Sequence, residues 1–171
     1  ERSLMDAVAS EPYAPEVAIL SDYEDLWAIQ LQPHNRDFSY QRAQFVLYCA
    51  CQQLGIACDL VSPRADLSRY KLVLAPALLL ATDDLAQRLT EYVERGGHVV
   101  LGIRSGFKTE SNLVTDAPLP GVFRELVGVE VRAWHSLPPD VAYPVALDGE
   151  LLAAGTWAES LAPGPDATGV A

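Results

Sequence analysis

Basic residues are scarce in this chain of 171 residues. Twelve Lys and Arg stand against 23 Asp and Glu, a formal net charge of −11. So acidic a surface repels phosphate backbones and anionic lipid headgroups, which argues against nucleic acid or a membrane as partner. No apolar run approaches the ~18–20 residues of a membrane span. The opening ERSLMDAVASEP lacks the basic start and apolar core of a signal peptide. It also lacks an initial Met, so a piece of a longer protein is expected. Cysteine is limited to Cys49, Cys51 and Cys58. The first two lie two apart in a helical pattern and point to different faces, so buried, reduced thiols are expected. No C-x-x-C pair occurs and His34, His98 and His135 are scattered, so no zinc site is expected.

What is present is a soluble globular composition, half hydrophobic and one fifth charged. Glu16 to Ser21 reads as a first strand ending in acidic Asp22, Glu24 and Asp25. A loop of aromatic and polar residues is expected through Trp27, Pro33, His34 and Phe38. Tyr40 to Leu54 has helical spacing. Ala43, Val46, Leu47, Ala50 and Leu54 form the apolar side, and Arg42, Gln44, Gln52 and Gln53 the polar one. Gly55 stops the helix.

Ile56 to Val61 and Lys71 to Ala75 read as strands two and three. Thr82 caps a helix with its stripe on Leu85, Leu89, Tyr92 and Val93, and His98 to Ile103 is strand four. Apolar strands alternating with amphipathic helices predict a mostly parallel sheet covered on both faces. The fold class expected is a three-layer α/β/α sandwich, flavodoxin-like. A short helix is expected next over Val122–Val127, and Val129–Leu137 and Ala142–Leu147 alternate as antiparallel edge strands near the C-terminus do. The tail GPDATGV is small and polar.

Several chemistries of this architecture are missing. The turn SDYEDLW has no glycine to let a backbone approach pyrophosphate, and no G-x-x-x-x-G-K-[ST] occurs. No cofactor is expected. A phosphoacceptor site would need an Asp where Ala75-Pro76 stands. Asp22, Glu24 and Asp25 offer carboxylates for glycoside hydrolysis, but one acidic turn does not establish a pair across a scissile bond.

Strand four opens into GGHVVLGIRSGFKTESN. Ligand sites in α/β folds lie at such carboxyl ends. Glutamine amidotransferase-like relatives of the fold keep a nucleophilic Cys there in the pattern I-C-H-G. Here Ile103-Arg104-Ser105-Gly106 matches it, and an arginine stays protonated and cannot attack a carbonyl. Ser105 has no histidine nearby in sequence to serve as its base. Arg104, Ser105, Lys108 and Glu110 are therefore candidates for bracing the loop or touching a neighbour. The aromatic loop, with Tyr23, Trp27, Gln30, His34, Phe38 and Tyr40, suits a subunit interface, a sugar-stacking surface or a satellite core.

As a set, VAILSDYEDLWAIQ, then DLSRYKLVLAPALLLATDDLAQRLTEYVERGGHVVLGIRSGFKTESN, then LPGVFRELVGVEV and GELLAAGTWAESL, resemble the middle domain of glycoside hydrolase family 42 β-galactosidases. The resemblance implies a class I glutamine amidotransferase-like domain over residues 15–171. Residues 1–14 would be a linker from an N-terminal TIM barrel. In that family the barrel carries both catalytic glutamates and any zinc cluster, and the middle domain mediates trimer formation. For this chain the resemblance implies a homotrimerising domain without catalytic residues, in a cytoplasmic enzyme that meets galactosides only through its barrel.

Overall fold

The computed structural model describes residues 14–169. All but the last residue of the expected linker lie outside that range. Four parallel strands form the central sheet: β1 (Val17–Leu20), β2 (Cys58–Val61), β3 (Leu72–Ala75) and β5 (His98–Leu101), in the order β2-β1-β3-β5. Two helices, α1 (Tyr23–Leu31) and α2 (Tyr40–Gln53), connect β1 to β2, while α3 (Asp83–Glu94) connects β3 to β5.

Strand alternation separates the two faces. Ala18, Leu20, Val73 and Ala75 face α3, which buries Ala86, Leu89 and Tyr92 on them. Val17, Ile19, Leu72 and Leu74 face the other way and pack on Leu47 and Cys51 of α2. This is the expected three-layer α/β arrangement. Thr82 caps α3, accepting from the Leu85 N–H at 3.1 Å, with Asp83 and Asp84 against the positive helix end.

Two helix readings need correction. The aromatic loop is helical over Tyr23–Leu31: Asp22 caps it, accepting from the Glu24 N–H at 3.0 Å. The helix buries Ala28 and Ile29 yet exposes Tyr23, Trp27 and Leu31, so its apolar residues fall on two sides and no single stripe marks it. In α2 the buried face is rotated from the expected one. Tyr40, Gln44 and Cys51 are buried, whereas Val46 and Leu54 are exposed. Gln44 is inside because its side-chain amide donates to the Leu20 carbonyl at 3.1 Å, closing a backbone group that the end of β1 leaves open.

The stretch after β3 carries an additional pairing. β4 (Leu80–Ala81) runs parallel to β6 (Lys108–Thr109). The C-terminal part continues through a 3₁₀ turn at Gly121–Phe123 and α4 (Arg124–Val127). β7 (Val129–Ser136) then pairs antiparallel with β10 (Trp157–Pro163), and β8 (Tyr143–Leu147) with β9 (Glu150–Ala154). These antiparallel strands form two ribbons beside the parallel sheet. No helix among the described residues is long and apolar enough to cross a membrane.

Candidate functional site

Arg104 sits at the turn after β5 with φ +59, a left-handed conformation uncommon for a residue with a Cβ. Such backbone is the geometry of a sharp strand-to-loop elbow, and its neighbours hold it there. The Arg104 N–H donates to Oε1 of Glu159 on β10 at 2.8 Å. The Gly106 N–H donates to the Leu78 carbonyl at 2.7 Å. A Cβ at Gly106 would collide with the Pro120 carbonyl oxygen, so only glycine fits this close approach.

The Arg104 side chain is buried among three aromatic rings. Its guanidinium carbon lies 4.7 Å from the centre of Phe107, 5.0 Å from Trp157 and 5.2 Å from Trp134. Trp134 and Trp157 come from β7 and β10 and stand 5.7 Å apart. A desolvated cation over aromatic faces gains about 2 kcal/mol or more at a good site. Its Nε and Nη2 have no protein hydrogen-bond partner among the described residues, so the rings are the main contact of those groups. Burial lowers the Arg104 pKa and the nearby Glu159 opposes that; burial raises Glu159 against the pull of the Arg104 N–H and charge.

Ser105 is committed to the backbone. Its hydroxyl donates to the Gly102 carbonyl at 2.9 Å and accepts from the Leu78 N–H at 3.2 Å. His135 is exposed on β7, opposite Ala158. Lys108 is buried with its ammonium donating to Gln32 Oε1 at 2.9 Å and Asn112 Oδ1 at 2.8 Å. Burial, then the charge of Arg104, lowers its pKa. Glu110 is exposed at the loop tip.

The aromatic candidates separate into two groups. Tyr23, Trp27, Gln30 and His34 are exposed. Phe38 and Tyr40 belong to a buried cluster with Ala28, Ile29, Leu79 and Phe107, which places them in the satellite core. His34, at φ +54, sets its ring edge-on to Trp134 at 5.5 Å. Burial, then Arg104 and Lys108, lowers its pKa.

Asn35 and Asp25 were not singled out from the sequence for the roles they have here. The Asn35 side-chain NH2 donates to Thr156 O at 2.9 Å, and to Leu137 O and Ser136 Oγ at 3.0 Å each. It ties the loop after α1 to β7 and β10. Asp25 is 2% exposed and accepts from the Leu80 N–H at 2.8 Å, anchoring α1 to β4. No local sequence signal marks either one, since Asn35 is flanked by exposed Pro33, His34, Arg36 and Asp37 and Asp25 by exposed Glu24. The partners lie far away in the chain.

A family model described as the "Beta-galactosidase trimerisation domain" matches residues 15–170. The chain belongs to that family. It is 40% identical, over 147 residues, to the β-galactosidase BgaH of Haloferax lucentense, covering 86% of this chain and 22% of that protein. It superposes on the polyextremophilic β-galactosidase from the Antarctic haloarchaeon Halorubrum lacusprofundi with a TM-score of 0.83 at 40% identity. That match covers 92% of this chain and 24% of the other. The β-galactosidase from Bacillus circulans sp. alkalophilus gives a TM-score of 0.86 at 26% identity, covering 93% and 25%. The chain thus spans about a quarter of the length of these relatives.

As a trimerisation-family domain it holds, at its elbow, a cation enclosed by rings and a serine bonded to backbone. That arrangement can brace a loop. It offers no activated nucleophile.

Proposed function

We propose that this chain is the non-catalytic assembly domain of a cytoplasmic β-galactosidase. It joins subunits into a homotrimer, while hydrolysis of terminal β-D-galactosides belongs to a separate barrel domain carrying the catalytic glutamates. Membership of the trimerisation family supports this reading. The observation that carries it is Arg104. Where amidotransferase-like folds keep a nucleophile, the chain has a buried arginine that cannot attack a carbonyl.

The surface proposed for assembly is the outer side of α1. Tyr23, Trp27 and Leu31 recur at helical spacing and are 72%, 58% and 78% exposed, an apolar stripe that a partner would cover. Gln30 and His34 flank it with polar groups, as at an interface rim. Arg104, Ser105 and Lys108 act as internal braces, and Glu110 at the loop tip remains for a neighbour. A serine-directed fluorophosphonate probe tests the non-catalytic assignment: the native protein is expected to leave Ser105 unmodified. Stoichiometric labelling of Ser105 would overturn it.

A further inference from the structure

Cys51 and Cys58 meet across the turn that follows α2. Cys51 lies in the last turn of the helix and Cys58 opens β2, and both are buried in one cluster with Val17 and Ile19. The intervening turn is tightly closed. Leu54 N–H donates to the Ala50 carbonyl at 3.1 Å, and Ile56 N–H to the Cys51 carbonyl at 2.8 Å. Gly55, at φ +69, reverses the chain between them. Their side chains are neighbours in that cluster. Cys49, two residues earlier, is half-buried and points to a different side of the helix.

We propose that Cys51 and Cys58 form a dithiol modification site, which a small-molecule disulfide oxidises to an intrachain bond tying the end of α2 to the start of β2. Two thiols already in contact need only a local shift to reach the ~2.0 Å of a sulfur–sulfur bond. The Cys51 thiolate, its proton lost to solvent, attacks one sulfur of the oxidant. The oxidant's sulfur–sulfur bond breaks, one thiolate leaves and a mixed disulfide forms on Cys51. Cys58 then loses its proton, attacks the Cys51 sulfur and expels the second thiolate. In sum, two protein thiols and one R–S–S–R give one protein disulfide and two R–S–H; the oxidant gains the two electrons. Burial, then the neighbouring Cys51, raises the Cys58 thiol above its ordinary pKa.

The test is exposure of the native protein to oxidised glutathione, followed by acid quenching, alkylation and trypsin. Ala43 to Arg64 is released as one peptide containing all three cysteines, since no Lys or Arg lies between. After oxidation it is expected to carry a single alkyl group, on Cys49, and to be two hydrogens lighter at the other two. Cys49→Ser should still form the link. Cys51→Ser and Cys58→Ser should each abolish it, so a folding defect in one variant leaves the other to decide. Three alkyl groups after oxidation, a persistent glutathione adduct beside an alkylated Cys58, or a link through Cys49 would each overturn the proposal.

Discussion

The backbone N–H of Arg104 donates to Oε1 of Glu159 at 2.8 Å, joining the elbow after β5 to the last strand of the chain. The same residue sends its guanidinium between Phe107, Trp134 and Trp157. Backbone and side chain together hold the parallel sheet against the β7–β10 ribbon. Arg104→Ala keeps the strained backbone and empties the space between the rings. The expected loss is about 2–4 kcal/mol of stability, from the cation–π contacts and the cavity. Urea unfolding followed by tryptophan fluorescence measures it, and an unchanged midpoint would deny the brace.

Asn35 makes the same junction from the other side. Asn35→Ala leaves the buried Leu137 carbonyl without this donor, whereas the Thr156 carbonyl keeps the Leu137 N–H at 2.9 Å. A buried group left unpaired costs about 1–3 kcal/mol. Asn35→Asp is expected to be worse, because its carboxylate would face carbonyl oxygens. Thermal unfolding of the two variants should rank them in that order below the parent.

Asp25 gives the fold a pH dependence. Burial, partly offset by the Leu80 N–H, raises its pKa to about 7, and the charges of Asp22 and Glu24 add to the rise. The folded state then binds more protons than the unfolded one between about pH 4 and 7. The contribution to stability is complete below the ordinary carboxylate pKa and is lost as pH rises through about 7. A shift of this size corresponds to a few kcal/mol at most. Denaturation midpoints across pH 4–8 should therefore fall with rising pH, and Asp25→Asn should flatten that slope. Asn retains an oxygen for the Leu80 N–H, which separates charge from hydrogen bonding.

These positions mark how far the sequence could be read. β1, β3 and α3 were legible because Ala18, Leu20, Val73 and Leu89 fall in short apolar runs or one helical stripe. The α1 helix was not, since Tyr23, Trp27 and Leu31 face away from Ala28 and Ile29 and blur the period. Gln44 misled the reading of α2 because its burial depends on the Leu20 carbonyl, a tertiary partner. Arg104 could be rejected as a nucleophile from its chemistry alone. Its enclosure could not be foreseen, because Trp134 and Trp157 reach it only through the ribbon pairing.

Self-association is the central claim, and Trp27 tests it most directly. Being 58% exposed, Trp27 can be cut to alanine with about 0.5 kcal/mol or less of change in the fold itself. Multi-angle light scattering of the intact protein across a dilution series gives the mass. The parent is expected at three times the chain mass, with Trp27→Ala dissociating at higher concentration than the parent. A parent that stays monomeric at every concentration, or a Trp27→Ala trimer as tight as the parent's, would contradict the assembly role assigned to the outer side of α1.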